Sequence, residues 1–190
     1  HLRPRRQRQM CIRDRVTGND HLTVTQSGGL ARNAILEFDL SSIPDTATIN
    51  SAVLMFTLNR FISQVGSGLA AIDVIAYNGD GTVDITDFAA AGTQVVDTTT
   101  PSAGTSGGDM LSFCFTSVVP IGDALAANLL TVRIETDSFA GIQIASLENT
   151  SYDAPKLTID YTESTIPVPG ALAFGLTGLA GLAYMARRKV

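Results

Sequence analysis

Hydrophobic and polar residues alternate along most of this chain with a period of two. Over 34–40, Leu36, Phe38 and Leu40 point one way while Glu37 and Asp39 point the other. Over 130–135, Leu130, Val132 and Ile134 alternate with Thr131, Arg133 and Glu135. Over 156–161, Leu157, Ile159 and Tyr161 alternate with Lys156, Thr158 and Asp160. Each run predicts an antiparallel strand with one face in the core and one in water. Residues 49–58 differ, because Val53, Leu54, Met55 and Phe56 are all apolar; that predicts a central strand buried on both faces, or a strand under a covering loop. Further strands are predicted at 22–25, 71–77, 93–96, 110–116 and 141–146. About nine strands separated by turn residues predict an all-β fold, an antiparallel β-sandwich of the jelly-roll kind.

Two short helices interrupt the pattern. Residues 84–91 start at an Asp and are followed by Gly92, the preferred residues for the two ends of a helix. Residues 120–127 place a Pro in the first turn ahead of an alanine-rich stretch. Residues 98–108 form a polar, low-complexity loop predicted to cover nothing.

Both ends read differently from the body. Residues 1–15 carry six arginines and no apolar stretch, and resemble translated sequencing-adapter sequence, so they are expected to lie outside the fold. The body is expected to span 16–163, followed by a linker at 164–169. Residues 170–186 contain no charge, and 187–190 form a basic tail. As a helix, 170–186 would span about 26 Å at ~1.5 Å per residue, and the preceding apolar residues bring it to membrane length. A C-terminal transmembrane helix with a cytoplasmic basic tail is the expectation.

This order of parts resembles the PEP-CTERM sorting signal of Gram-negative bacteria. Pro167, Val168 and Pro169 match its Pro-rich tripeptide, with Val168 where the commonest form has Glu; Arg187, Arg188 and Lys189 match its basic end. The resemblance implies processing by an exosortase, export through the inner membrane, and a place at the cell surface or in extracellular polysaccharide. The body carries a second resemblance. Leu36-Glu-Phe-Asp-Leu-Ser-Ser-Ile-Pro44, then Ala47-Thr-Ile-Asn-Ser-Ala-Val-Leu54, is similar to the opening of DNRLRE-type domains, which are carbohydrate-binding-like jelly rolls. Ser146-Leu-Glu-Asn149, Ala154-Pro-Lys-Leu157 and Tyr161 resemble their closing strands. The chain has no Trp, so the resemblance brings no ready-made aromatic platform.

Charge and chemistry narrow the function. Residues 16–186 hold 17 of the 18 acidic residues and four basic ones, a net charge of −13, which excludes nucleic acid as the partner of the body. Two Cys and two His cannot make a zinc site of ordinary spacing. Cys114 is expected to be a buried thiol, and His21 a surface histidine without a partner. No His-Glu-x-x-His and no phosphate-binding glycine loop occurs, and no catalytic residue is assigned. An enzyme acting on polysaccharide remains the alternative, since the many carboxylates could pair.

Two sets of candidate site residues remain. Asn78, Asp80, Thr82, Asp84 and Asp87 fall at positions 3, 5, 7, 9 and 12 of a calcium loop, with Gly81 at the sharp turn. Position 1 is Ala76 rather than Asp, so the same residues also fit a Gly-rich turn leading into an Asp-capped helix. Ca2+ is thus the one cofactor the sequence offers, and a calcium-stabilised adhesion module a further alternative. Phe61, Phe139 and Tyr152 lie in loop-like contexts and are the candidates for stacking on a sugar ring.

Overall fold

The computed structural model describes residues 5–10, 12–13, 20–27, 30–62, 70–102, 104–136 and 139–164; for 5–13 and Ser27 it describes the backbone. The expected sorting motif, membrane helix and basic tail lie outside the described residues.

Among the described residues there are twelve strands. They are β1 (Arg5–Met10), β2 (Ile12–Arg13), β3 (His21–Ser27), β4 (Leu30–Arg32), β5 (Ala34–Asp39), β6 (Thr48–Ile62), β7 (Ile72–Tyr77), β8 (Thr93–Thr99), β9 (Met110–Cys114), β10 (Leu129–Glu135), β11 (Gly141–Ala145) and β12 (Lys156–Thr162). Seven form one sheet, in the order β1-β12-β6-β11-β3-β4 with β9 also on β6. Five form the other, in the order β2-β5-β10-β7-β8. All pairs are antiparallel. The result is a sandwich-like arrangement of two sheets.

The alternating positions explain why the sheets face each other. Leu22, Val24, Leu54, Phe56, Ile142, Ile144, Leu157, Ile159 and Tyr161 from the larger sheet are buried. They share one core cluster with Leu36, Phe38, Ile72, Val74, Leu130, Val132 and Ile134 from the smaller. One end of the core is closed by a short helix, α1 (Val119–Ala124), and a 3-10 turn (Leu125–Ala127). Ile121 and Leu125 are the apolar residues they contribute. Asn128 ends this segment in the left-handed region at φ 57°, and its carbonyl accepts from Leu40 N–H at 2.9 Å. An amide side chain tolerates that conformation better than most.

Several expectations change. Val53 and Met55 are half-buried while Ala52, Leu54 and Phe56 are buried, so β6 alternates over 52–56, and only Phe56, Thr57 and Leu58 are buried in succession. Cys114 is exposed, because Phe113 takes the inward position on β9 and the next residue must point out. The 98–108 loop is tied down at its end, where Gly108 N–H donates to the Leu58 carbonyl at 2.8 Å. Gly107 comes so close to β6 that a Cβ there would lie 2.5 Å from the Asn59 carbonyl oxygen. The segment 1–15, left out of the sequence-based fold, has backbone partners: Arg5–Met10 lies along β12 and Ile12–Arg13 along β5. Extended backbone can join an open sheet edge whatever its side chains.

A candidate cleft beside a clamped turn

The outer face of the smaller sheet carries the main polar cluster. Thr131 lies opposite Glu37 on one side and Tyr77 on the other, so all three share a face, and Arg133 follows two residues on. The segment 78–92 folds back over this face and buries it. Glu37 is 4% exposed, Arg133 7%, Tyr77 7% and Asp87 7%. Gly79 makes the close approach, since a Cβ there would collide with Thr131 Oγ1. Gly81 turns the chain at φ 84°, a conformation glycine adopts at little cost.

The carboxylates predicted as calcium ligands are engaged with their own loop. Asp80 Oδ1 accepts from Thr82 N–H at 2.8 Å. Asp84 caps a 3-10 helix (Ile85–Ala89) by accepting from Thr86 N–H at 2.7 Å. Asp87 completes a reciprocal box, its Oδ2 accepting from Asp84 N–H at 2.9 Å. Asn78 and Thr82 are exposed. Among the described residues no three His, Cys, Asp or Glu side chains gather as a metal centre would require.

Arg133 and Tyr77 clamp this turn onto the sheet. Arg133 Nη1 donates to the carbonyls of Asp87 at 3.0 Å and Ala90 at 2.8 Å, while its Nε donates to Glu135 Oε2 at 2.7 Å. The guanidinium carbon lies 5.8 Å from the Tyr77 ring centre. Tyr77 Oη donates to Asp87 Oδ1 at 3.0 Å. Burial, and then the hydrogen bond to Asp87, hold the Tyr77 phenol well above its ordinary pKa.

The sign of that shift makes an alkaline prediction. The unfolded phenol ionises near ~10 while the folded one stays protonated, so the contribution is intact below about pH 10 and is lost as pH rises toward the folded value. Urea midpoints compared between pH 9 and 11 are expected to fall in the wild type. Tyr77→Phe should flatten that fall. Equal slopes in the two proteins would show that Tyr77 is not the responsible group.

Beside the clamp lies an open cleft of about 300 Å³. Ala76, Tyr77, Asn78, Ala91, Gly92, Thr93, Pro120 and Asp123 line it. Three elements meet here: the end of β7, the start of β8 and α1. Gly92 lets β8 approach β7, since a Cβ there would be 2.6 Å from Ile75 Cγ2. Small residues and Pro120 supply apolar wall, while Asn78, Thr93 and Asp123 supply polar groups. That mixture can hold a small polar molecule with apolar faces. Asp123 is the one carboxylate of the lining, and no cation belongs to it.

The aromatic candidates are dispersed. Phe61 is half-buried and packs against the core. Tyr152 is half-buried, and its ring lies against Gly108, where a Cβ would sit 3.4 Å from Cε1. Phe139 is 71% exposed. His21, expected to have no partner, has one in Asp20, whose Oδ1 lies 2.6 Å from Nδ1. Sequence reasoning placed Asn78 in a calcium loop and left Thr93, Pro120 and Asp123 outside any site.

No protein family matches the chain, and no curated protein matches it.

Proposed function

We propose that this chain is an exported surface protein whose β-sandwich, of jelly-roll type, is a non-catalytic module for an extracellular polysaccharide. The observation that carries the binding reading is the lining of the cleft beside Tyr77. A sugar offers vicinal hydroxyls and an apolar C–H face. Asn78 and Asp123 have planar polar groups suited to the first, and Pro120 a flat apolar surface suited to the second. The lining holds no cation and the body is strongly acidic, so a neutral glycan suits it better than a uronate or sulfate polymer. Glycoside hydrolysis uses two carboxyl groups flanking the bond, and the lining offers one. Residues 166–190 are proposed as the exosortase-read segment that delivers the body to the surface, with 170–186 as its membrane helix. The resemblance of that segment to the sorting signal supports this address.

Thermal melting of the full chain against neutral and acidic polysaccharides, each with Ca2+ and with EDTA, tests the reading. A neutral glycan at a hundredfold excess over its Kd is expected to add about 2.7 kcal/mol of stability. Asn78→Ala and Asp123→Ala should abolish the gain. Calcium should leave the midpoint unchanged, because binding it would require breaking the Asp84–Asp87 box. A rise with Ca2+ alone would favour the calcium-stabilised alternative, and no response to any glycan would remove the binding role.

A further inference from the structure

The outer face of the larger sheet holds a row of polar residues unrelated to the cleft. Arg60 on β6, Gln143 on β11 and Thr23 on β3 lie directly opposite one another across three neighbouring strands. Residues in register on antiparallel strands point to the same face. Gln143 is 6% exposed although it points away from the core. Its Oε1 accepts from Arg60 Nε at 2.7 Å, and its Nε2 lies 3.4 Å from Thr23 Oγ1. His21 precedes Thr23 by two residues on the same strand, so it shares the face. Its Nδ1 is 2.6 Å from Asp20 Oδ1.

Taken as chemistry, the row contains every part of an acyl-transfer site. Thr23 is a hydroxyl nucleophile. The Asp20 carboxylate orients the His21 ring by accepting a hydrogen bond from Nδ1–H, the tautomer that leaves the Nε2 lone pair as a base. Gln143 is an acyl donor, and the Arg60 guanidinium is placed on the carbonyl oxygen where negative charge would develop. Burial of the amide keeps competing water away.

We propose that Thr23 and Gln143 form an ester cross-link within the folded chain. Thr23 Oγ1 attacks Gln143 Cδ while its proton passes to His21 Nε2. The Cδ–Nε2 bond of Gln143 then breaks, His21 returns the proton to the departing nitrogen, and ammonia leaves. No oxidant or co-reactant is required. Dilution of ammonia draws the reaction forward, and exclusion of water protects the ester. The bond ties β3 to β11 across 120 residues of intervening sequence. Closing so long a loop resists unfolding from either end. This inference stands apart from glycan binding, since the two sites share no residue.

Intact-mass analysis of the full chain, followed by peptide mapping, tests it. The expected result is a mass lower by one ammonia than the sequence requires, with one joined peptide containing Thr23 and Gln143. Hydroxylamine should separate the joined peptides. Thr23→Val should keep the full mass, and His21→Ala should slow the ammonia loss about 100-fold. An imide at Asn78-Gly79 would lower the mass equally, so a loss mapped to that dipeptide counts against the proposal. So does an unchanged wild-type mass after prolonged incubation of the folded chain, which would leave the row a hydrogen-bonded ladder.

Discussion

Arg133→Ala is expected to destabilise the domain by about 3–5 kcal/mol, the range for removing one partner from a buried charge network. The guanidinium serves three acceptors at once: Glu135 Oε2 and the carbonyls of Asp87 and Ala90. Removing it takes the shortest donor from both carbonyls under the turn, and that of Asp87 keeps only the longer contacts from Ala90 N–H at 3.4 Å and Tyr77 Oη at 3.5 Å. It also removes the positive charge that lies against the Tyr77 ring, next to the buried Tyr77–Asp87 hydrogen bond. Lysine has one point charge and cannot bridge the same acceptors in a plane, so Arg133→Lys should recover less than half of the loss. Urea denaturation reads both variants. A cost below about 1 kcal/mol for Arg133→Ala would mean that the contacts are those of an exposed pair.

Gly79→Ala is expected to cost about 2–3 kcal/mol, the range for forcing extra atoms into a packed site. The added methyl would fall on Thr131 Oγ1, on a central strand that cannot move aside. The hydroxyl it meets is buried and has no hydrogen-bond partner among the described residues. Thr131→Ala should therefore be close to neutral by itself, because it removes an unsatisfied polar group. In that background the nearest remaining atom is the residue 131 Cβ, 3.1 Å from the new methyl. The cost of Gly79→Ala should then fall by about 1–2 kcal/mol, as expected of residues in contact. Equal costs in both backgrounds would show that Gly79 is required for some other reason.

The strands were legible where the sequence alternates, but the face of β5 and β10 predicted to be wet is not, since Glu37, Thr131 and Arg133 are buried under 78–92. Period-two alternation places Leu36, Phe38, Val132 and Ile134 in the core without any knowledge of their neighbours. The same logic misses β4, because Leu30, Ala31 and Arg32 are all exposed and carry no alternation. It misses β1, whose arginine-rich sequence contains no apolar stripe. The Asp84 cap was legible because its partners lie within three residues. The Arg133 clamp was not, because its acceptors lie 43 and 46 residues away and only folding brings them near. The cleft is hidden for the same reason: Asn78, Thr93 and Asp123 come from separate elements, and none belongs to a motif with the others. His21 looked isolated although its partner, Asp20, is the preceding residue, because a contact between sequence neighbours has no spacing that marks it.

Amide chemical-shift mapping of the full chain with a neutral polysaccharide tests the binding site most directly. Shifts are predicted at Asn78, Thr93 and Asp123, saturating together, with the amides of β12 unmoved. Shifts centred on Phe139 with the cleft amides unmoved, or no shifts at all, would contradict the assignment of this cleft as the glycan site.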